Sequence, residues 1–358
     1  MVTMIGNEEH RRRRRMLAHP YANSYIMTSK SLDDVLCRVK GHLREAMAGW
    51  AKTETSVNVY ENSKRCLLDI ASGWLFGSEN ATNTMRDPAF ENALTTLAIA
   101  SNQNLHMRTI FEGPMYRIAS LAGGTVPLNA DARDQWAGWL TRVVTNSYMR
   151  HSNKASGNQS LYDHFYDCFQ AAEPEMSAND MASLMAVECD DHLSATHIGL
   201  GILLSYIMYE LSRKQDWQRS LRKELLTLAE PSDESLAQRL GNLKVLDAVV
   251  TETMRTRAPC PGPFPRVVPS TGCQLVGKYN LPGGTVVSSS AWALHFNPLP
   301  FPNPDEWLPG RWLESSEATV TEMRKWIWTF GSGARVCIGT HFSMRGRFPE
   351  SLSSYHLL

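Results

Sequence analysis

"FGSGARVCIG", residues 330–339, sets a cysteine among three glycines with an arginine two places before it. Gly331 and Gly333 flank Ser332, and lacking a Cβ they let backbone pass close to something flat or bulky. Arg335 brings a permanent forked donor suited to a carboxylate. Cys337 is followed by "IGTHFSM", a sequence able to begin a helix, and the unpaired amides of a helix N-terminus favour a thiolate. An enclosed thiolate is a metal ligand or a nucleophile. A phosphate loop would need GxxxxGK[ST], or GxGxxG after a strand, and neither is present. A cysteine hydrolase needs a positioned histidine, and His341 is near with nothing to mark it as a base. An inert core cysteine is the commonest state of any single cysteine, and the glycines and Arg335 argue against it.

Two segments upstream bear on this one. In "LDAVVTETMRTRAP" (246–259), Leu246, Val249, Val250 and Met254 form an inward stripe. Glu252 and Arg255, three apart, share another face. Alone, they read as an exposed ion pair contributing little. "FPNPDEWLPGRW" (301–312) implies a packed irregular segment in which Arg311 is either a surface residue or needs an acceptor. Glu252 can satisfy both arginines, and a buried triad of that kind loses about 3–5 kcal/mol when one member is removed.

The chain has 358 residues, 43% hydrophobic and 20% charged, enough for a sizeable core and too ordered in composition for bulk disorder. Thirty-six basic residues balance thirty-six acidic ones, which excludes a whole-domain electrostatic nucleic-acid binder, so no nucleic-acid partner is expected. The run "HRRRRR" (10–15) reads as a solvated helix face. Seven cysteines form no CxxC pair and no Cys/His cluster, which disfavours zinc ribbons and disulfide frameworks and fits a reducing compartment.

Apolar spacing predicts helices from "HRRRRRMLAHPYANSYI", "SLDDVLCRVKGHLREAMAGWA" and "NSKRCLLDIASGWLFG", the last ending at Gly77. The longest helix spans "MSANDMASLMAVECDDHLSATHIGLGILLSYIMYELSRK", with a capping pattern at Ser177 and Asp180 and apolar residues on nearly every face. "WQRSLRKELLTL" and "LAQRLGNLKVLDAVVTETMRTR" follow as one helix each. After Cys260, Pro, Gly and β-branched residues take over, and "FPRVVP", "CQLVG" and "TVVSSSAWAL" read as short strands. The class is mainly α (α+β), with a long central helix and a small sheet.

Together these residues resemble the cytochrome P450 superfamily of haem-thiolate monooxygenases, and most closely its fungal microsomal type. Phe330, Gly333, Arg335, Cys337 and Gly339 match the family's FxxGxRxCxG haem loop. Glu252 and Arg255 match its ExxR helix, and Pro309, Arg311 and Trp312 match its PxR[FW] segment, all in the family's order. The resemblance extends from about Glu8 to Arg345. It implies haem b with Cys337 as axial thiolate on the iron, pushing electron density toward bound oxygen. It further implies backbone at Gly331 and Gly339 close to the sulfur, Phe330 shielding it, and Arg335, Arg14 and Arg266 holding haem propionates. Glu252, Arg255 and Arg311 then form a structural triad. The implied partners are O2, a small lipophilic substrate facing Ala195, Thr196 and Pro263 to Phe264, and NADPH-cytochrome P450 reductase. The implied location is the cytosolic face of the endoplasmic reticulum membrane.

The long helix departs from the family pattern. Where [AG]GxxT is expected, residues 195–199 read "ATHIG": Thr196 replaces a glycine, Ile198 the acid and Gly199 the alcohol. A positioned proton donor is commonly worth ~10²–10⁴-fold, and Thr196, His197, an ordered water or the substrate's own hydroxyl are the candidates to replace it. The family's leading anchor helix, early helices, much of its main sheet and its closing strands have no counterpart. The expectation is therefore one partial domain over 1–345 and a divergent tail, "GRFPESLSSYHLL", over 346–358, as in a truncated product or an intron-reading gene model. Two rival functions stay open: a non-catalytic haem-binding or misfolded remnant, and a haem-thiolate isomerase or peroxygenase.

Overall fold

The computed structural model describes residues 7–53, 56–87, 130–153, 159–229 and 236–346. The chain runs α1 (Asn7–Leu17), a 3₁₀ turn (His19–Tyr21), α2 (Asn23–Thr28), α3 (Lys30–Thr53), α4 (Val59–Phe76), α5 (Ala130–Ser152), α6 (Leu161–Ala172) and α7 (Ala178–Arg213). It continues through α8 (Gln215–Leu226), α9 (Leu236–Gly241), α10 (Lys244–Thr256), four short strands β1 (Phe264–Val267), β2 (Cys273–Leu275), β3 (Tyr279–Leu281) and β4 (Val286–Ser289), then α11 (Ala291–His295), α12 (Gly310–Glu314) and α13 (Glu317–Lys325). The mainly helical class expected from the sequence holds.

The predicted long helix is α7, 36 residues, which at 1.5 Å per residue is about 54 Å long. Its N-terminus is capped as read: the Ser177 side chain accepts from the Asp180 amide at 3.2 Å and donates to the Asp180 carboxylate at 2.7 Å. Burial on several faces lets α7 form the axis of the main core, with α4 as its most extensive neighbour. Gly201 lies at that approach, where a Cβ would sit 3.0 Å from the Lys64 side chain. α3 contributes Leu32, Val35, Leu36, Val39, Leu43 and Met47, the stripe expected from three- and four-residue spacing. α4 ends where predicted, at Gly77 with φ +84°. A second small core holds Ala248, Phe301, Trp312 and Met323.

Two expectations need correction. The single helix read over 236–257 is two, α9 and α10, parted at Asn242 and Leu243. The α10 N-terminus has no local side-chain cap. The Glu224 carboxylate of α8 serves instead, accepting from Val245 N and Leu246 N at 2.8 Å each. The stretch "AWAL", read as the end of a strand, opens α11, in which Ala291 and His295, four apart, are both buried. The sheet is two antiparallel pairs, β1 with β4 and β2 with β3, and β3 was not foreseen. The tail beyond 346 lies outside the described residues. Among those described, no helix is long and apolar enough to cross a membrane.

Candidate haem-loop site

The framework under "FGSGARVCIG" is the buried carboxylate of Glu252. Glu252 and Arg255 are both 0% exposed and three apart on α10. Arg255 donates Nε to Glu252 Oε2 at 3.0 Å and Nη2 to Oε1 at 2.8 Å. Its other guanidinium bonds reach the carbonyls of His295, Pro304 and Glu306 at 2.7–2.9 Å. Glu252 also accepts from Arg311 Nε (3.0 Å), Leu308 N (2.9 Å) and Trp312 Nε1 (3.0 Å). The sequence suggested the three charged groups; the main-chain carbonyls and Trp312 complete the network.

His295 was missed by the sequence reading, where only its place in an apolar run marked it. It is fully buried, its Nδ1 lies 3.0 Å from the Arg255 carbonyl and its Nε2 accepts from Trp328 N at 2.8 Å. Thr329 Oγ1 donates to the Met254 carbonyl at 3.2 Å. Both ties meet the chain just before Phe330, so the α10 network fixes where the loop starts.

The loop then turns on Gly331 (φ +70°) and Gly333 (φ +67°), conformations glycine adopts without penalty. A 3₁₀ turn covers Gly333–Arg335. Cys337 N donates back to the Phe330 carbonyl at 2.8 Å, and Phe330 packs against the main core. Helix resumes at Thr340 and takes π form over Phe342–Gly346.

Cys337 is exposed, yet burial pushes its thiol pKa up, opposed by the Gly339 N–H and the charge of Arg14. The two observations agree if the sulfur faces a hollow inside the protein. Cys260 behaves alike: it is exposed, and burial followed by the Cys337 charge raises its pKa. Ala195, in the middle of α7, is exposed although Leu193, His197 and Ile198 beside it are buried, so a gap borders the helix there. The expectation that a helix N-terminus makes Cys337 a thiolate is thus corrected. Burial dominates and favours the thiol; a bound cation would reverse this, because a metal deprotonates a coordinating thiol outright.

Arginine charges lie near the cysteine. Arg14 donates to the Val336 carbonyl, next to the cysteine. Burial lowers the His10 pKa, and the charges of Arg335, Arg14 and Arg266 lower it further. Arg335 is itself lowered by burial and then by Arg266. Arg266, on β1, is exposed and donates to the Pro265 carbonyl at 2.8 Å. The charges of all three arginines reach His10, and together they form a field suited to a dianion. A sulfur ligand in a hollow beside such a field fits a haem with its two propionates: Cys337 would hold the iron, and Arg14, Arg266 and Arg335 the propionates. The "HRRRRR" run is therefore only partly a solvated face: Arg11, Arg12 and Arg15 are exposed, while Arg13 reaches Glu188 at 3.2 Å.

The structure separates the two candidate proton donors from one another. Thr196 Oγ1 bonds back to the His192 carbonyl at 2.9 Å. His197 turns into the α4 seam: its Nδ1 lies 2.7 Å from the Leu193 carbonyl, and burial, with a lesser push from Lys64, lowers its pKa to about 4. Nothing brings His197 to Cys337. His295 is likewise lowered to about 4, by burial first and by the Arg255 charge last. Both histidines are buried neutral, with folded pKa values below the ordinary 6.5. Their contribution to stability is complete above about pH 6.5 and is lost as pH falls toward 4. Urea unfolding across that window is expected to lose up to about 1.4 kcal/mol per pH unit for each histidine, and His295→Gln should flatten the slope. An unchanged midpoint between pH 6.5 and pH 4.5 would contradict it.

A family model described as cytochrome P450 matches residues 1–346. The chain is 35% identical over 175 residues to cytochrome P450 monooxygenase avaI of Aspergillus versicolor, an alignment covering 46% of this chain and 43% of that one. It is 24% identical over 326 residues to cytochrome P450 monooxygenase aneF of Aspergillus aculeatus, covering 89% of this chain and 61% of that one. The chain thus spans less than two thirds of the length of either relative. Its fold resembles the crystal structure of a cytochrome P450 (CYP102L1), with a TM-score of 0.72 at 17% identity, covering 99% of this chain and 72% of that chain. It also resembles the cytochrome P450DA heme domain, with a TM-score of 0.68 at 20% identity, covering 98% and 69%.

Proposed function

The chain belongs to the cytochrome P450 family, and from that premise we propose that it is a haem b monooxygenase inserting one atom of O2 into a small lipophilic substrate. Electrons come from NADPH through cytochrome P450 reductase, and the protein works at the cytosolic face of the endoplasmic reticulum membrane, with residues 1–345 acting as one domain. The observation that carries this reading is the exposed Cys337 sulfur, held by the Gly339 N–H beside a field of three arginines. When bound there, haem supplies oxygen activation through a thiolate-ligated iron. The chain's own residues do the rest. Gly339 and Arg14 hold negative charge at the sulfur; Arg14, Arg335 and Arg266 orient the cofactor; and the Glu252 network keeps the loop in place. Substrate would lie against Ala195 and Thr196 on α7, Cys260, and Pro263 to Phe264.

A second reading rests on a specific observation. The positions of the family's acid and alcohol hold Ile198, which is buried, and Gly199, which has no side chain to donate. Thr196 is then the remaining hydroxyl on that stretch of α7, and its proton is committed to a backbone carbonyl. Such a site suits a peroxide, which brings its own protons, better than dioxygen. The test is made on protein expressed with ample haem precursor. The reduced, carbon-monoxide-bound spectrum should show the red-shifted band of a thiolate-ligated haem. Incubation with reductase, NADPH and ¹⁸O2 should then place one labelled atom in the product. Turnover with peroxide alone would favour the second reading, and a folded, colourless protein would defeat both.

A further inference from the structure

We propose that Tyr21 is a one-electron donor to the haem site, with His192 as its proton acceptor and Glu188 as the balancing charge; this rests on haem binding at Cys337. Tyr21 sits on the 3₁₀ turn after α1 and is 7% exposed. Its hydroxyl lies 2.7 Å from His192 Nδ1, and the two rings stack with centroids 5.4 Å apart at 13°. His192 projects from α7, and its Nε2 faces Glu188 Oε1 at 3.2 Å, one helical turn earlier. That contact brings both hydrogen bonding and charge to the carboxylate. Burial opposes ionisation of Glu188, yet His192 and Arg13 outweigh it and its pKa falls below the usual carboxylate range. One tautomer fits all of this: Nε2–H toward the carboxylate, and Nδ1 accepting from the phenol.

The arrangement is a carboxylate, an imidazole and a hydroxyl in series, buried at the seam of α1 and α7. The binding and bracing described above do not use it. Burial and then the charge at Cys337 push the Tyr21 pKa up, so the phenol lies close enough to feel the sulfur and does not ionise by itself. It can release its proton only as it loses an electron, and the acceptor is already in place at 2.7 Å. Aromatic contacts run from it to the haem loop: Tyr21 meets Trp74 edge-on at 5.4 Å, and Trp74 stacks on Phe342 at 4.8 Å and 8°. Phe342 lies five residues after Cys337 in sequence and is buried in the same core.

A peroxide reacting at the haem without substrate takes two electrons and two protons as its O–O bond breaks to give water. Tyr21 supplies one electron. Its O–H bond breaks, the proton forms an N–H bond at His192 Nδ1, and the imidazolium is offset by the ionised Glu188. A small reductant of the ascorbate or thiol class returns an electron to the phenoxyl, His192 gives the proton back, and Tyr21 supplies the second electron in the same way. Solvent provides the two protons consumed. The consequence is protection: oxidising equivalents that find no substrate leave through Tyr21 before they damage Cys337.

The test uses haem-loaded protein that shows the thiolate band, mixed with hydrogen peroxide in the absence of substrate and frozen for electron paramagnetic resonance. An organic radical is expected, with a spectrum that changes when the protein is labelled with ring-deuterated tyrosine. Tyr21→Phe keeps the ring stack and should keep the thiolate band while losing the radical and bleaching faster under peroxide. His192→Leu should lose the radical with Tyr21 still present, an effect a merely structural role would not produce. A radical unchanged in Tyr21→Phe, or insensitive to tyrosine labelling, overturns the proposal and leaves the monooxygenase reading standing. Absence of the thiolate band sinks both.

Discussion

Cys337→Ser is expected to give a folded protein that has lost the thiolate-carbonyl band and most of its haem. The sulfur is exposed, so its replacement removes little packing, and a substitution away from buried networks changes stability by about 0.5 kcal/mol or less. Apoprotein melting should therefore be almost unaltered. Ligation is another matter. A serine hydroxyl has a far higher pKa than a thiol and is a hard donor, so it does not replace a soft thiolate on iron. On the proposed ligation, Arg14, Arg335 and Arg266 would hold the propionates only weakly without the axial bond. Cys260→Ser is the control, because Cys260 is also exposed and close enough to feel the charge at Cys337; it should keep the band. An inert core cysteine predicts the reverse pattern, a change in melting with no change in colour. A nucleophilic cysteine predicts that alkylation abolishes an activity that needs no haem. A thiolate band surviving in Cys337→Ser would end the ligand assignment.

What the sequence made legible was what short-range spacing encodes. Glu252 and Arg255 are three apart on one helix, and their proximity follows from helical geometry alone. Ser177 and Asp180 announced the start of α7, and Gly77 the end of α4, because caps are local. Gly331 and Gly333 stand out in the sequence as points of close backbone approach, and the structure adds that each has a positive φ, which favours glycine. What stayed hidden depends on contacts between distant segments. The break between α9 and α10 is stabilised by Glu224, twenty-one residues before the first amide that it caps. His295 becomes a brace only where α11, the Arg255 carbonyl and Trp328 meet. The thiol of Cys337 was misjudged for the same reason: a local dipole argued for a low pKa, while enclosure, a property of the whole fold, decided the sign. Tyr21, His192 and Glu188 carried no signal that could join a turn after α1 to the middle of α7.

Arg255→Lys should abolish soluble haem protein, with an effect larger than that of Arg311→Ala. Arg255 is completely buried and its guanidinium donates to two carboxylate oxygens and three main-chain carbonyls. A lysine ammonium brings three donors on a single point and cannot reproduce that fork. The loss leaves the buried Glu252 with only Arg311, Leu308 N and Trp312 as donors, beside unpaired carbonyls, and breaking such a pair costs about 3–5 kcal/mol. A domain's whole stability is about 5–15 kcal/mol, so the variant sits near the threshold of unfolding. Exchanging both partners for apolar residues offers no rescue here, although it does for some buried ion pairs. The carbonyls of His295, Pro304 and Glu306 and the amide of Leu308 are main-chain groups that the replacements would leave without partners. Arg311 differs in that its Nη atoms bond the exposed carbonyls of Pro302 and Asn303, where water can substitute. Its removal should lower the melting temperature and haem retention while leaving protein to measure. Because His295 and Thr329 tie α10 to the loop, haem loss should precede global unfolding in Arg311→Ala. The order of effects, Arg255 above Arg311, is read by thermal melting and haem content side by side. An Arg255→Lys protein that melts and binds haem like the parent would show that the Glu252 network does not brace the loop.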